Sequence, residues 1–284
     1  MGLGGYLTWT AAAREIRSIA GNNVKFMAVE QLENGFLKVV KSEVFKNNSD
    51  FFMHSDEEYS NGQIVFPLVL NNPNANYCKT DMRDRVIHRG DAHIIQQICE
   101  CYGIKDPELK CVLNLTKEEN AFANDYHSCV LNGDKFITIE PFSKSNYTNN
   151  RSYPFEKWQE IVNHICDTIK IVQVGNSVKV LDNVIDLTGK TTFREAAAII
   201  GRSQLFLSSE SGLVHCSTAV DTRSVVIITG YQSEKMVAYP QNINVNISSH
   251  GPCGLKVTCN KCVEDGKNHN WRDIVKIVRE ELCL

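Results

Sequence analysis

The stretch DLTGKTTFREAAAIIGRSQLFLSSESGLVHCSTAVDTRSVVIITG, residues 186–230, decides the fold. Its first helical pattern opens at Thr192, and Glu195 follows three residues later, which is the pattern of a capping box. The apolar run QLFLSS predicts a buried strand, SGLVHCSTAV a second helix and SVVIITG a second strand. Helices and strands that alternate through short links are typical of parallel βαβ units. The stretch therefore predicts an α/β protein with a parallel sheet.

The same alternation extends back to about residue 135 and indicates the domain organisation. DKFITIEPFS and KIVQVGN predict strands, and YPFEKWQEIVNHICDTI predicts a helix with Pro154 in its first turn. Upstream, TWTAAAREIRSIA and DAHIIQQICECYGI predict helices, and VKFMAVE and QIVFPLVL predict buried strands between long polar loops. We expect an N-terminal domain over residues 1–134 and a C-terminal domain over residues 135–284.

Composition excludes several classes of protein. The chain has 284 residues, 43% of them hydrophobic and 22% charged, so it can build hydrophobic cores and is not a disordered protein. A net charge of −3 without a basic tract disfavours nucleic acid as a partner. The sequence has no apolar run long enough to span a bilayer and no signal-peptide pattern at its start, so we expect a cytoplasmic protein.

The turn at residues 208–212 joins a predicted strand to a predicted helix, and it carries small residues, an acid and a nearby histidine. Ligands of parallel sheets bind at the carboxyl ends of strands, and a helix N-terminus favours an anion. His215 lies one turn into the helix, and the Glu210 carboxylate can accept hydrogen bonds from sugar hydroxyls. The turn therefore predicts a binding site for a sugar phosphate. The alternative is a capped helix with a histidine that is satisfied within the core.

Residues 186–230 closely resemble the C-terminal signature of glycosyltransferase family 9, the ADP-heptose:lipopolysaccharide heptosyltransferase family. ITIEPFSKSNYTNNRSYPFEKWQEIV, VQVGN, the opening GLGGYLTWTAAAREIRS and the cysteine-rich tail are also similar to family segments. The resemblance implies a GT-B fold, in which two Rossmann-like domains with parallel sheets face a cleft. It implies an inverting, metal-independent transfer from a nucleotide-diphosphate sugar, bound on the C-terminal domain, to a hydroxyl acceptor.

The family pattern also assigns roles to residues of this chain. The donor-binding residues that it implies are Ser143, Arg151, Gly175, Asn176, Glu210, Ser211, Gly212, Leu213 and His215. In this assignment, Arg151 and the helix after Ser211 bind the diphosphate and Glu210 faces the sugar. Gly4, Gly5 and Tyr6 correspond to an acceptor-side loop.

Three departures from the family pattern bear on the chemistry. The family's first strand is absent before GLGG, which indicates either a truncated start or a trimmed domain. Gly5 replaces the aspartate that is the family's usual candidate base, and Glu210 replaces the aspartate of its DSG motif. His88 and Asp91 are chemically suitable replacements for the base. The alternative is that both are surface residues around a helix start, with Asp91 as the N-cap.

The C-terminal cysteines form a pattern of their own. Cys253, Cys259 and Cys262 follow a C-x5-C-x2-C spacing, and Cys283 lies near the end of the chain. Four thiolates can bind zinc or iron tetrahedrally, and a site with every ligand position filled is structural. We therefore expect these sulfurs to lie together, with either a structural zinc or iron ion or free thiols. Catalysis is expected to need no cofactor.

The leading function is a glycosyltransferase that acts on a glycan or another hydroxyl acceptor; a modified nucleic acid is disfavoured by the acidic pI of about 6.3. Two alternatives stay open. One is a relative that binds a nucleotide sugar without transferring it, since the family aspartate is missing at Gly5. The other is a nucleotide-sugar epimerase or hydrolase of similar fold, which needs no acceptor base. The oligomeric state is not predicted by any of these patterns.

Overall fold

The computed structural model describes residues 2–53, 64–75, 78–142, 148–176 and 179–284. The helices are α1 (Leu3–Ala20), α2 (Ile94–Glu100), α3 (Lys117–Asp125), α4 (Phe155–Asn163), α5 (Phe193–Ile200), α6 (Gly212–Ala219), α7 (Glu234–Val237), α8 (Asn260–Asn268) and α9 (Trp271–Leu282). The strands are β1 (Val24–Gln31), β2 (Leu37–Val39), β3 (Ile64–Val69), β4 (Cys78–Asp81), β5 (Val86–His88), β6 (Phe136–Glu140), β7 (Lys170–Gln173), β8 (Ile185–Asp186), β9 (Phe206–Ser209), β10 (Ser224–Ile228) and β11 (Ile243–Asn246).

A six-stranded sheet forms the C-terminal half, in the order β11-β10-β9-β6-β7-β8, and all its pairings are parallel. Its central strands are buried along their whole length, as expected for strands that helices cover on both faces. The capping box of α5 is formed by Thr192 and Glu195. The α/β fold and the parallel sheet predicted for this half are confirmed.

The N-terminal half contains a smaller sheet in the order β2-β1-β3. β1 pairs with β3 in parallel and with β2 in antiparallel orientation, because a short turn at residues 32–36 joins β1 to β2. This sheet is therefore mixed, with the parallel pairing of β1 and β3 and one antiparallel edge strand. The predicted strands VKFMAVE and QIVFPLVL correspond to β1 and β3, and the predicted helices to α1 and α2. The predicted burial of the second strand is wrong, because β3 exposes Ile64 and Phe66 at the edge of a three-stranded sheet.

One of two hydrophobic cores of the described residues continues across the two halves. It contains Leu7 of α1 and Phe45 from the N-terminal half together with Ala197 of α5 and Val226 of β10. Burial of apolar surface at such a contact stabilises the arrangement of the halves by about 25 cal/mol for each Å² removed from water. The boundary near residue 134 stays a prediction.

Arg194 of α5 joins the halves through polar contacts. Its side chain is 2% exposed, and its guanidinium donates to both carboxylate oxygens of Glu119, at 2.6 and 2.9 Å. It also donates to the backbone carbonyls of Glu43, at 2.9 Å, and Asn114, at 2.6 Å. A buried charge needs such complete pairing to be tolerated. Within the described ranges, none of the helices combines the length and the apolar character needed to cross a bilayer.

Candidate functional site

Strand ends and a helix start meet at one edge of the six-stranded sheet. β6 ends at Glu140, β7 is followed by Gly175, and β9 is followed by Glu210 and by Ser211, the N-cap of α6. The first N–H groups of a helix have no partner within the helix and carry partial positive charge. The predicted location, at the carboxyl ends of parallel strands, is therefore where the structure places the turn.

Arg151 and Glu210 form an ion pair at this edge. The Nε atom of Arg151 lies 3.2 Å from Oε1 of Glu210, and its Nη2 donates to Oε1 of Gln232 at 3.2 Å. Its guanidinium also lies 4.7 Å from the ring centroid of Tyr231. Burial raises the pKa of Glu210, and the charge of Arg151 opposes that rise. The family pattern implied that Glu210 faces the sugar and that Arg151 binds the diphosphate. The structure shows that the two side chains also contact each other.

His215 lies where α6 meets the start of α1. A β-carbon placed on Gly4 would lie 2.8 Å from Cα of Gly212 and 2.9 Å from Cδ2 of His215, so only glycine fits there without a shift. Nδ1 of His215 is 2.6 Å from the hydroxyl of Tyr239. Burial first, and then the charge of Arg151, lower the pKa of His215 to about 4. The imidazole is therefore neutral near pH 7.

Glu140 is a site residue that the sequence reasoning missed. Its Oε2 accepts hydrogen bonds from the hydroxyls of Ser211 and, at 3.3 Å, of Ser208. A β-carbon placed on Gly175 would lie 2.9 Å from Oε1, so the carboxyl group also rests against the end of β7. Burial raises its pKa to about 7, and the two hydroxyl groups partly oppose the rise. The signal was an acid directly after four apolar or small residues of a predicted strand.

The other donor-side residues have varied positions. Gly175 adopts a φ of 96°, which favours glycine, and the side chain of Asn176 next to it is exposed. The side chain of Leu213 belongs to the hydrophobic core, so only its backbone can face the donor, and its predicted role stays a prediction. Helix α6 places an apolar residue at that position because its inner face packs on the sheet. Ser143 lies outside the described residues.

The acceptor-side residues are helical. Gly4, Gly5 and Tyr6 all belong to α1, which begins at Leu3, so the predicted loop is wrong. The hydroxyl of Tyr6 donates to Oε1 of Glu30 at 3.3 Å. The phenol is therefore hydrogen-bonded to a carboxylate on β1. Gly5 presents no side chain at the place where the family resemblance implies a base.

The two proposed bases differ in their surroundings. The ring of His88 packs edge-on against Tyr231, at 5.7 Å between centroids, and burial and Arg151 lower its pKa to about 4. The carboxylate of Asp91, 67% exposed, pairs with Arg89 at 2.7 and 3.0 Å. The predicted N-cap at Asp91 is wrong, because His93 caps α2 with its Nδ1 accepting from the N–H of Ile95.

Three of the four predicted metal-binding cysteines lie together with a histidine. Sγ of Cys262 is 3.6 Å from Sγ of Cys253 and 3.5 Å from Nε2 of His250. The ligand atoms of His250, Cys259 and Cys262 all lie within 4.8 Å of one another. A hydrogen bond with Cys262 lowers the pKa of Cys253 to about 6, which favours a thiolate.

Cys283 is not part of this cluster. It is exposed at the C-terminus of α9, beyond the segment that carries the other sulfurs, so its assignment as the fourth ligand is wrong. His250 provides the fourth group instead, and the overlooked signal was the H-x2-C spacing of His250 and Cys253. The Nδ1 atom of His250 lies 2.6 Å from the carbonyl oxygen of Gly251, and its Nε2 lies 3.5 Å from both Sγ of Cys262 and Oδ2 of Asp265.

The donor set has part of the spacing of a tetrahedral metal site, although Cys253 is not among the residues whose ligand atoms all lie within 4.8 Å of one another. Metal–sulfur bonds of about 2.3 Å in a tetrahedral site require sulfurs about 3.8 Å apart, close to the distance between Cys253 and Cys262. Three sulfurs and one imidazole suit zinc or iron. The structure thus brings together a candidate His/Cys metal site, as the cysteine spacing predicted.

Comparisons with known proteins show the family and the fold of the chain. A family model described as glycosyltransferase family 9 (heptosyltransferase) matches residues 85–265. No curated protein matches the chain. Among solved structures, a glycosyl transferase family 9 protein from Veillonella parvula DSM 2008 has 15% identity and a TM-score of 0.53. The similarity covers 69% of this chain but only 61% of that protein, so the chain spans less than two thirds of its length.

A second similar structure is the iron-containing dodecameric glycosyltransferase TibC from enterotoxigenic E. coli H10407, with 12% identity and a TM-score of 0.64 over 99% of this chain and 73% of that chain. TibC has also been solved in complex with ADP-D-beta-D-heptose, with 12% identity and a TM-score of 0.63 over 99% and 74%. These likenesses confirm the predicted GT-B type of fold. Because the family model covers more than half of the 284 residues, the chain belongs to glycosyltransferase family 9, the heptosyltransferase family.

Proposed function

We propose that the protein is an inverting glycosyltransferase that moves a sugar from a nucleotide-diphosphate donor to a hydroxyl group of a glycan or similar acceptor. The single observation that carries the proposal is the meeting of Arg151, the N-terminus of α6 and the neutral His215 at the carboxyl ends of parallel strands. These groups suit the leaving diphosphate, whose charge grows in the transition state. TibC was solved with ADP-D-beta-D-heptose, so ADP-heptose is the first donor to test.

The charge balance of the site sets its chemistry. Glu210 neutralises part of the charge of Arg151, and Glu140 lies on the N-cap residue Ser211. Two ionised carboxylates would repel a diphosphate. Because the pKa of Glu140 is about 7, that group can hold a proton when the donor binds. Arg151, the backbone N–H groups of α6 and the Nε2–H of His215 then face the phosphates, and Glu210 keeps an oxygen for a sugar hydroxyl.

Transfer to a hydroxyl group needs a base that accepts its proton. Between the two candidates we propose His88, because its ring contacts Tyr231 beside Arg151, whereas Asp91 is held by Arg89. A pKa of about 4 makes His88 neutral but only weakly basic near pH 7. Transfer rates at saturating donor for His88→Gln, with Asp91→Asn as the matched control, test the role. Normal turnover in His88→Gln excludes it.

The missing carboxylate at Gly5 favours a second candidate, a protein that binds a nucleotide sugar without transferring it. The two functions separate in one experiment that measures both donor affinity and ADP release, with and without acceptor sugars. Binding without turnover supports the second candidate. Release of ADP without any acceptor supports a hydrolase instead.

The donor site is tested by calorimetry with ADP and ADP-heptose. Loss of one charged hydrogen bond costs about 1.5–3 kcal/mol, so Arg151→Ala and His215→Ala should each weaken binding about 10- to 150-fold. Arg223→Ala, which removes an arginine from the exposed pair with Glu281, is the control and should bind normally. Unchanged affinity in both site variants overturns the placement of the donor.

We propose that His250, Cys253, Cys259 and Cys262 hold a structural zinc or iron ion, as four protein ligands leave no open position for chemistry. The segment that carries these ligands is hydrogen-bonded to the candidate donor site, since the N–H of Gly254 donates to the backbone carbonyl of Tyr231 at 3.1 Å. Such an ion would fix this segment beside Arg151. Elemental analysis of protein purified without added metal tests the proposal, and a metal-free, folded protein contradicts it.

A further inference from the structure

Tyr239 links the candidate donor site to Cys111 through a row of buried hydrogen-bonded side chains. It lies after α7, its side chain is fully buried, and its hydroxyl is 2.6 Å from Nδ1 of His215. The same hydroxyl is 3.3 Å from Sγ of Cys111, a residue of the N-terminal half. The ring of His93 packs edge-on against Tyr239 at 4.6 Å. Neither the family pattern nor the sequence reasoning gave Tyr239 a role.

The protonation states of the three groups fix the direction of the hydrogen bonds. Burial raises the pKa of Cys111 to about 12 and that of Tyr239 well above 10, so both keep their protons near pH 7. The imidazole of His215 is neutral, so only one of its nitrogens carries a proton. A thiol sulfur is a weaker acceptor than an imidazole nitrogen. The difference in acceptor strength favours the phenol of Tyr239 as the donor to Nδ1 of His215 and the thiol of Cys111 as the donor to the phenol oxygen.

The length of the contact supports this direction. O–H···O hydrogen bonds cluster at about 2.7–2.8 Å, whereas N–H···O bonds cluster at about 2.9–3.0 Å. The separation of 2.6 Å between Tyr239 and His215 agrees with an O–H donor. With Nδ1 accepting, the proton of His215 lies on Nε2, the ring atom that a β-carbon on Gly4 would approach to 3.6 Å.

We propose that Tyr239 is a positioning residue that holds His215 as the Nε2–H tautomer and aims this N–H at the phosphate oxygens of the donor. The inference rests on the proposed function for the identity of the ligand, but the tautomer is a property of the protein alone. In the opposite tautomer, the lone pair of Nε2 would face the anion and repel it. The hydroxyl of Tyr239 therefore sets whether His215 attracts or repels a diphosphate.

The other groups around His215 do not bond to its Nδ1 atom, which leaves Tyr239 to control the tautomer of the imidazole. Nδ1 of His93 accepts from the N–H of Ile95, and its pKa is lowered to about 3 by burial and then by His215, so it stays neutral. The hydroxyl of Thr218 donates to the backbone carbonyl of His215 at 2.9 Å, and it also contacts the side chains of Tyr239 and Cys111 but not the ring nitrogens of His215. Arg151 provides the nearest charge that acts on His215, and it disfavours the imidazolium.

The test is ¹⁵N NMR of histidine-labelled protein without ligand, with the His215 resonances identified from a His215→Gln variant. In the wild type at pH 7, Nδ1 should have the shift of an unprotonated nitrogen and Nε2 that of a protonated one. In Tyr239→Phe, the shifts should move towards a mixture of tautomers. A proton on Nδ1 in the wild type overturns the proposal whether or not any variant folds.

The chain offers a matched control. Tyr153 is a second buried tyrosine whose hydroxyl contacts a histidine nitrogen, Nδ1 of His269 at 2.9 Å. Tyr153→Phe should leave the His215 tautomer and ADP affinity unchanged, while Tyr239→Phe should weaken ADP binding about fivefold. An unchanged tautomer in Tyr239→Phe overturns the positioning role. If wild-type protein shows the expected tautomer but no ADP binding, the proposed function fails and the positioning of His215 stands.

Discussion

Replacing Glu140 by Gln should stabilise the protein, and the gain should depend on pH. The carboxyl group lies at the end of β6, against Gly175, and its Oε2 accepts from Ser208 and Ser211. An amide oxygen can accept the same two hydrogen bonds, and an amide does not ionise. The substitution thus removes a buried titratable group while it keeps the shape and the contacts of the side chain.

The magnitude follows from the pKa of Glu140, about 7 in the folded protein against an ordinary 4.5. Below pH 4.5 both folded and unfolded chains hold the proton, and the group has no net effect. Between pH 4.5 and 7 the unfolded chain releases it first, so the free energy of unfolding falls as pH rises. Above pH 7 the loss reaches about 3 kcal/mol, since each pKa unit corresponds to about 1.4 kcal/mol.

Urea unfolding followed by circular dichroism measures the effect. Glu140→Gln should exceed the wild type by less than about 1 kcal/mol at pH 5 and by about 3 kcal/mol at pH 8. Glu33→Gln, at an exposed position between β1 and β2, should change stability by less than about 0.5 kcal/mol at both pH values. A gain that is equal at the two pH values, or a loss at pH 8, refutes the reasoning.

Three further changes test other parts of the structure. Arg194→Met removes one partner of a buried ion pair between the halves and should lower the free energy of unfolding in urea by about 3–5 kcal/mol; a loss below 1 kcal/mol contradicts the buried contact. His250→Ala should lower the metal content per chain in elemental analysis, whereas Cys283→Ser should not; equal effects would return Cys283 to the site. Gly4→Ala should weaken ADP binding because its β-carbon meets α6, whereas Gly2→Ala, with no described atom within 4 Å of its β-carbon, should bind normally.

Local patterns predicted the secondary structure well, because hydrophobic periodicity and helix capping depend on residues that are close in the sequence. The capping box of Thr192 and Glu195 and the buried strand before Glu210 are both where the sequence placed them. The N-cap of α2 failed for a physical reason. Asp91 is the better cap by residue type, but Arg89 binds its carboxylate, and the buried ring of His93 caps the helix instead.

The site was less predictable, because its contacts join distant parts of the chain. The sequence predicted roles for Arg151 and His215, yet their partners Gln232 and Tyr239 follow no local spacing rule. Cysteine spacing predicted the sulfur cluster, but choosing the fourth ligand by residue type selected Cys283 over a histidine nearer in the chain. Side-chain type indicates which chemistry is available, and only the tertiary fold shows which groups meet.

The contact between α1 and α6 bears on whether transfer or binding alone is the function. Gly4 fits against Gly212 only because it lacks a side chain, so the start of α1 lies directly beside the candidate phosphate site. Gly5 is the next residue of α1, so an aspartate at this position would be adjacent in sequence to the contact between Gly4 and Gly212. A carboxylate there would be near the sugar that the donor carries. Gly5→Asp should therefore raise ADP release in the presence of an acceptor if the base is the missing element, and should leave release unchanged if His88 already serves.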